Sequence, residues 1–217
     1  MTVDLAQLRT RFGSACIAAG GRFSEAVFEA LIERYREPLR YYHTLEHVDA
    51  CLVWLDWYRG VARRPDLVEL ALWFHDAVYD PKASDNEAQS AALARAQLGA
   101  LGVGSSSIDV VARFVDATRR HDTAKGDCAL LIDLDLTILG ASPHCYARFE
   151  SQIRAEYAHV PERAFALGRA HVLRGFPSRA QVFQTPSLRE QLEQRARDNL
   201  ERRIEQLLGE GSACLDR

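Results

Sequence analysis

An adjacent histidine and aspartate, His75 and Asp76, interrupt an otherwise apolar stretch of the chain. Burying an ionised side chain is costly unless it is paired with an opposite charge or bound to a metal ion. A helix-terminal aspartate beside an internally hydrogen-bonded histidine explains the pair without any function. Metal ligation explains it equally well, so the choice depends on which other polar side chains accompany the pair.

Two more histidines and two more aspartates are candidates to join this pair. His43 and His47 are four residues apart, so on a helix they would share one face. Asp133 and Asp135 lie in a long apolar stretch. Because positions i and i+2 of a helix point about 200° apart, only one of these two can face a common site. Imidazole and carboxylate groups from three buried helices would together suit a bound cation.

The order of these residues, H…HD…D, resembles the signature of the HD superfamily of metal-dependent phosphohydrolases. The stretch YHTLEHVD at 42–49 is similar to the YHNxxHAxD stretch of cyclic-nucleotide phosphodiesterases, which are HD proteins, with Thr in place of Asn. There the second histidine is a metal ligand and the first a general acid, which implies these roles for His47 and His43. The last aspartate of the signature usually lies in a pattern like A-D-x-L, which favours Asp135 over Asp133.

The resemblance extends over most of the chain, from Tyr42 to Leu200, and is closest to one bacterial subfamily described only as predicted metal-dependent HD phosphohydrolases. The matching segments are Tyr42–Val48, Phe74–Asp80, Asp85–Glu87 with Ser90, Thr118 with His121, Asp133–Gly140, Arg154–Tyr157 and Ala196–Leu200. The resemblance implies an all-α, HD-domain-like helical bundle with a metal site between its central helices. The implied metal ligands are His47, His75, Asp76 and Asp135.

The expected cation is Mn, Fe, Co, Ni or Zn rather than Mg, because imidazole ligands suit transition metals. HD enzymes with two metal ions commonly add two histidines between the HD pair and the last aspartate. Here His121 is the only histidine in that interval. We therefore expect one firmly held metal ion, with His121 near the substrate phosphate or a weaker second ion. A structural alternative makes His121 a helix-end residue bonded to Asp122 or to the backbone.

Glu87 has two competing explanations. The run Ser84-Asp85-Asn86-Glu87 has the spacing of a capping box, in which the serine caps a helix and the glutamate three residues later returns the hydrogen bond. A catalytic explanation makes Glu87 a base for water or a partner of the metal ligands. With His43, Asp76 and His121 it completes the set of candidate catalytic residues.

The resemblance implies a metal-dependent phosphohydrolase that cleaves a phosphate ester or anhydride of a nucleotide or small phosphometabolite. Asp76 or Asp135 would orient the attacking water, and protonated His43 would donate to the leaving oxygen. The alternatives are a non-catalytic nucleotide-binding or regulatory HD module, a di-iron oxygenase on the same fold, and a purely structural metal site. The few histidines between Asp76 and Asp135 count against the oxygenase.

Hydrophobic periodicity predicts the helices that must position these residues. They are expected at Asp4–Ala19, Ser24–Tyr35, Thr44–Tyr58, Pro65–Val78, Glu87–Leu101, Ser107–Thr118, Asp127–Leu139, Pro143–His159, Glu162–Arg174 and Leu188–Leu208. The nearest rival for a strand is Ala129–Ile138, where apolar residues alternate. We expect one domain over 1–217, with a ligand-bearing core at about 40–140 and the C-terminal helices 142–208 packed on it.

Composition narrows the function classes. The 217 residues are 47% hydrophobic and 26% charged, as in a soluble globular protein, and the net charge of −3 argues against general nucleic-acid binding. No apolar run reaches the roughly 20 residues of a membrane span, and no basic start leads into an apolar stretch, so we expect neither a membrane anchor nor a signal peptide. Five cysteines without a CxxC pair suit free thiols in the cytoplasm. The expected partner is a small phosphorylated substrate, and the charged C-terminal helix is a candidate homodimer surface.

Overall fold

The computed structural model describes residues 3–122 and 124–213. Within these ranges the chain forms ten α-helices, two 3-10 helices and no β-strand, which confirms the all-α prediction. The α-helices are α1 (Leu5–Ala18), α2 (Glu25–Arg34), α3 (Leu45–Tyr58), α4 (Pro65–Phe74), α5 (Asn86–Ala100), α6 (Ser105–Ala117), α7 (Asp127–Asp135), α8 (Pro143–Glu156), α9 (Glu162–Arg174) and α10 (Pro186–Ala213). The 3-10 helices are Arg59–Val61 and Leu136–Gly140.

Contacts within the chain separate it into two compact units, Met1–Asp135 and Leu136–Arg217. Helices α1 to α7 belong to the first unit, and α8 to α10 with the second 3-10 helix belong to the second. All residues of the H…HD…D signature therefore lie in the first unit. The expectation of one domain over the whole chain stays a prediction.

Helix α4 is the centre of the first unit and contacts α1, α3, α5, α6 and α7. Every residue from Asp66 to Phe74 is buried, as its nearly all-round apolar sequence predicts. Trp73 packs edge-on against Phe12 of α1 and Phe28 of α2, with ring centroids 5.4 and 6.1 Å apart. Because α4 is packed on all sides, the position of its C-terminal end is fixed. The positions of the adjacent histidine and aspartate are fixed with it.

Helix α4 is shorter than its apolar pattern predicts. The pattern continues to Val78, but the helix ends at Phe74. Beyond it, the carbonyl oxygens of Asp76 and Ala77 accept hydrogen bonds from the buried guanidinium of Arg40. Even in a helix that reached Val78 these oxygens would lack backbone donors, because the last four carbonyls of a helix have none within it. The side chain of Arg40, from a distant part of the chain, thus donates to the carbonyls that follow this helix end.

The structure corrects the helical face that the spacing of His43 and His47 suggests. Helix α3 begins at Leu45, and its N-cap residue Thr44 has an extended backbone. His47 lies in the first turn of α3, whereas His43 precedes the helix. The two rings nevertheless meet edge-on, with centroids 6.1 Å apart.

The capping box predicted at the start of α5 is wrong. The helix begins at Asn86, its N-cap residue is Asp85 rather than Ser84, and the Asp85 side chain does not cap the backbone N–H groups of the first turn. Glu87 lies in the first turn of α5, partly exposed. The capping explanation of Glu87 is therefore removed.

The segment between α4 and α5 is irregular but is held by side chains of α5. The amide group of Asn86 donates to the carbonyl of Asp80 at 2.8 Å and accepts from its N–H at 3.0 Å. The hydroxyl of Ser90 accepts from the N–H of Val78 at 3.0 Å and donates to its carbonyl at 3.3 Å. Both residues belong to the segments that carry the sequence resemblance, and both satisfy backbone groups that no helix or strand pairs.

We expect Ser90→Ala to lower the free energy of unfolding by about 1–3 kcal/mol, because it removes the partner of two backbone groups at a fully buried position. Ser84→Ala, at an exposed position of the same segment, should change it by less than about 0.5 kcal/mol. Denaturant unfolding of the two variants measures the difference. Equal stabilities would contradict the role given to Ser90.

Helix α7 decides between a helix and a strand at Ala129–Ile138. Residues up to Asp135 are α-helical and Leu136–Gly140 continue as a 3-10 helix, so the helical prediction is confirmed with a tighter final segment. Asp133 is fully buried. Asp135 is the last residue of α7 and is partly exposed.

Helix α10 organises the second unit and packs against α9 and the second 3-10 helix. A Cβ atom added at Gly140 would lie 2.7 Å from the side chain of Leu192, so this close approach requires glycine. Asn199 is buried and donates to the carbonyls of Leu139 and Ala141, both at 2.9 Å. These contacts hold the turn between the 3-10 helix and α8.

Two composition-based expectations can be compared with the described residues. Cys16, Cys51, Cys128 and Cys145 are free thiols, as predicted, and Cys214 lies outside the described residues. In the described part of the chain no single helix combines the length and apolar character needed to cross a membrane, and only Asp127–Gly140 and Pro143–Glu156 taken together meet that test.

Candidate metal centre

Four polar side chains from α3, the end of α4 and the end of α7 meet inside the first unit. The Nε2 atoms of His47 and His75 are 3.0 Å apart. Oδ1 of Asp135 lies 3.1 Å from Nε2 of His47 and 3.5 Å from that of His75. Oδ2 of Asp76 lies 3.0 Å from Nε2 of His75 and 3.6 Å from that of His47. We call these four residues the His–Asp cluster.

The spacing of His47, His75 and Asp135 fits one cation. Atoms that bind a single ion at about 2.0–2.2 Å must lie roughly 2.8–3.6 Å from one another. All five separations given above fall within that interval. His47, His75 and Asp135 form a group whose ligand atoms all lie within 4.8 Å of one another, and Asp76 does not belong to that group. Two imidazole nitrogens with carboxylate oxygens are a donor set that suits a transition metal ion.

The ring of His75 is oriented by the backbone of its own helix. Its Nδ1 lies 2.9 Å from the carbonyl oxygen of Leu72. A carbonyl oxygen only accepts, so Nδ1 carries the hydrogen and donates it. In the neutral ring the Nε2 lone pair then faces the His–Asp cluster. Metal-binding histidines commonly have such a partner on the far nitrogen.

His47 has two neighbours that fix its ring. The thiol of Cys51, one turn further along α3, lies 3.8 Å from Nδ1 of His47, and the ring of Tyr42 lies 4.7 Å away between centroids. The same thiol is 3.8 Å from the carbonyl oxygen of Leu134 on α7. Burial raises the pKa of the Cys51 thiol well above its ordinary value, so the group stays protonated and donates weakly to that carbonyl.

The charges of the His–Asp cluster are strongly coupled. Burial alone would raise the pKa of Asp76 and of Asp135, but the nearby imidazoles, His75 foremost, hold both below their ordinary values. Burial alone would lower the pKa of His75, but the two carboxylates raise it well above 6.5. Without a cation, two carboxylates therefore share the cluster with a protonated His75. A cation would take the place of that proton.

We expect a bound cation to change the pH dependence of stability on the alkaline side. In EDTA, His75 stabilises the fold below about pH 6.5, and this contribution is lost as the pH rises through its raised pKa in the folded state. Asp76 and Asp135 stabilise above about pH 3.8 and lose that contribution as the pH falls through their lowered pKa values. The cation-free melting temperature should therefore decline from near-neutral to alkaline pH, by about 2–4 °C for each kcal/mol lost.

With saturating Mn²⁺ or Co²⁺ this alkaline decline should be smaller, because the cation takes the place of the His75 proton. Melting curves followed by circular dichroism across pH, with and without EDTA, measure both trends. His75→Gln is the control and should lose the alkaline decline. A decline that persists in this variant would contradict the assignment to His75.

His121 contacts the His–Asp cluster from its outer side. Its Nε2 lies 2.8 Å from Oδ2 of Asp135, the oxygen that does not face His47 and His75. Of the described non-glycine residues, only His121 has a positive φ, at 49°. A left-handed backbone costs a side-chain-bearing residue of order 1 kcal/mol or more and is concentrated at functional sites. Asp135 is thus a partner of His121.

His43 lies beside the His–Asp cluster without entering it. Its ring is stacked on that of Tyr79, with centroids 4.1 Å apart and planes 27° from parallel. Its charge contributes to the lowered pKa of Asp76. A fixed imidazole next to the cluster is where a proton donor would be expected.

Other candidate residues are placed apart. No hydrogen bond or ion pair among the described residues joins Glu87 to the His–Asp cluster, so its catalytic role stays a prediction without structural support. The remaining histidines are exposed, as expected of surface residues: His144, His159 and His171.

Sequence reasoning missed three residues that support the centre, namely Arg40, Tyr35 and Cys51. The hydroxyl of Tyr35 donates to the carbonyl of Trp73 at 2.9 Å, near the end of α4. None of the three belongs to a chemical motif. Tyr35 and Arg40 act on backbone atoms of a distant segment, and Cys51 lies one turn from His47 on α3. Tyr79, by contrast, lies in Phe74–Asp80, one of the segments that carry the sequence resemblance. That was the one sequence feature that could have indicated its role.

Comparison of the chain with models of protein families, with curated proteins and with solved structures finds no match in any of the three.

Proposed function

We propose that this chain is a metal-dependent phosphohydrolase of the HD type, which cleaves a phosphate ester or anhydride of a nucleotide or small phosphometabolite. The carrying observation is the convergence of His47, His75, Asp76 and Asp135, with the two Nε2 atoms 3.0 Å apart and facing each other. These are the residues that the resemblance to HD phosphohydrolases implies as ligands. The proposed cation is one transition metal ion, Mn, Fe, Co, Ni or Zn.

When bound, a divalent cation lowers the pKa of a coordinated water towards neutrality and offsets negative charge on phosphoryl oxygens. The protein's own contribution is a set of ligands held before the ion arrives. The Leu72 carbonyl fixes the ring of His75, and Cys51 with Tyr42 fixes that of His47. His121 fixes the carboxylate plane of Asp135 from its outer oxygen.

Two groups complete the proposed reaction. Asp76 stays ionised through the physiological range, so its carboxylate can orient an attacking water and accept a hydrogen bond from it. His43, stacked on Tyr79 beside the cluster, donates a proton to the oxygen that leaves phosphorus as the bond to water oxygen forms. The acid and the ligands are thus separate groups, which permits them to be tested separately.

The test is a hydrolysis screen over nucleotides and small phosphate esters with Mn²⁺, Co²⁺, Ni²⁺, Zn²⁺ and Mg²⁺ supplied one at a time, with metal analysis of the untreated protein. We expect metal-dependent phosphate release that Asp76→Ala abolishes. Asp80→Ala, at an exposed position of the same segment, is the matched control and should leave the rate within about threefold.

Three outcomes would reject or redirect the proposal. Phosphatase activity and metal content unchanged in Asp76→Ala would reject the cation site. Nucleotide binding without turnover across the metal panel would support a regulatory module instead. Oxygen-dependent turnover of a diol-like substrate would support an oxygenase.

A further inference from the structure

Arg40, in the segment between α2 and α3, is a buried cation that the proposed reaction does not use. Its side chain is only 1% exposed. A buried arginine is rare unless its donors are satisfied, since removing a charge from water is costly. The hydrogen-bond partners of the Arg40 guanidinium therefore indicate its structural role.

The guanidinium of Arg40 joins the two segments that carry the site. Nη1 donates to the carbonyl of Asp76 at 2.6 Å and to that of His43 at 3.2 Å. Nη2 donates to the carbonyl of Ala77 at 3.1 Å. Nε donates to the carboxylate of Glu37 at 3.0 Å, on the more exposed side. One planar group thus fixes the turn of the HD pair and the segment before α3 against each other.

Aromatic rings enclose the same guanidinium. It lies over the ring of Tyr35 at 5.2 Å and over that of Tyr79 at 5.6 Å. Tyr79 is also the ring on which His43 stacks. Arg40 therefore contacts the backbone of Asp76 and of His43, and also the ring that holds the His43 side chain.

We propose that Arg40 is a positioning residue of the cation site, acting through the backbone of Asp76 and Ala77 and through the segment of His43. This inference rests on the proposed cation site. Because α4 ends at Phe74, the Asp76 and Ala77 carbonyls depend on Arg40 for donors. Without it the turn loosens, and Oδ2 of Asp76 leaves its place 3.0 Å from Nε2 of His75. A lysine cannot replace the fork, since one ammonium does not span three carbonyls in a plane.

The experiment titrates Co²⁺ into the metal-free full-length protein and records both affinity and the visible absorption of the bound ion. We expect Arg40→Gln to weaken Co²⁺ binding about 10- to 100-fold, the range for residues that orient metal ligands, and Arg40→Lys to fall between this variant and the wild type. The absorption bands should shift in both variants. A residue that serves only general stability would lower the melting temperature without altering the spectrum of the bound ion.

Arg36→Gln is the matched control, because Arg36 is a half-exposed neighbour that pairs with Glu33 and should leave affinity and spectrum unchanged. If the Arg40 variants do not fold, Glu37→Ala decides: it removes the partner of Nε while keeping the guanidinium, and weaker binding with a shifted spectrum supports the proposal.

Two different results would contradict the role of Arg40 and the cation site, and they can be told apart. Wild-type affinity and spectrum in folded Arg40→Lys and Arg40→Gln, or in Glu37→Ala if those do not fold, would overturn the role of Arg40 alone. No Co²⁺ binding by the wild-type protein would overturn the cation site, and the role of Arg40 with it.

Discussion

Asp135→Asn should abolish cation-dependent hydrolysis and weaken cation binding by more than about 100-fold, beyond the range for residues that only orient ligands. The reason is that both oxygens of this carboxylate have partners. Oδ1 faces His47 and His75, and Oδ2 contacts His121. The amide removes the negative charge and turns one acceptor into a donor. Since the cation's assistance is worth several kcal/mol, the hydrolysis rate should fall by about 10³-fold or more.

Asp127→Asn is the matched control for this prediction. Asp127 begins the same helix, α7, but its carboxylate accepts from the backbone N–H groups of Arg63 and Arg64. This variant should lose some stability and keep both affinity and rate. Titration calorimetry with Mn²⁺ and phosphate-release assays provide the readouts. Wild-type affinity in Asp135→Asn would remove this residue from the ligand set.

His43→Gln should lower the rate by about 10²- to 10⁴-fold for substrates with a poor leaving group, while cation affinity stays within about threefold. The structure places this ring beside the His–Asp cluster, stacked on Tyr79, and not among the converging ligand atoms. A proton donor matters most when the departing oxygen is strongly basic. With an aryl phosphate whose leaving group needs no proton, the loss should be much smaller.

The comparison between leaving groups separates this role from a structural one. Damage to the site would lower both rates equally and would weaken cation binding as well. His144→Gln, at an exposed position of α8, should leave both rates unchanged. Equal losses with both substrates in His43→Gln would contradict the assignment of His43 as the acid.

The helices were largely predictable because each has a local signal. Pro65 begins α4, Glu162 and Arg174 bound α9 as expected, and Gly20, with φ of 87°, follows α1. The C-terminal boundary of α4 was wrong. The sequence extends α4 through an apolar run, but the helix ends at Phe74, and Arg40 donates to the carbonyls of Asp76 and Ala77 beyond it. Such a contact from a distant side chain leaves no trace in local periodicity.

The candidate site residues were predictable from their order along the chain. Which of them share one face of a helix was not predictable. The spacing of His43 and His47 suggests one helical surface, yet His43 precedes α3. The pattern at Glu87 suggests a capping box, yet the helix begins one residue later than that box requires. Both errors come from reading spacing as helical before the true start of the helix is known.

The sequence by itself determined that the chain is all-α and which histidines and aspartates need partners, because buried polar residues in apolar segments are anomalous wherever they fold. Tertiary structure decided which of them converge: Asp135, at the end of α7, faces the imidazoles, and Asp133 is buried two residues earlier. It also decided how they are held, through Arg40, Leu72 and Cys51. The contacts of Arg40 with Asp76 and of Cys51 with Leu134 join distant residues, and that of Leu72 uses a backbone carbonyl, so only the packed fold can specify them.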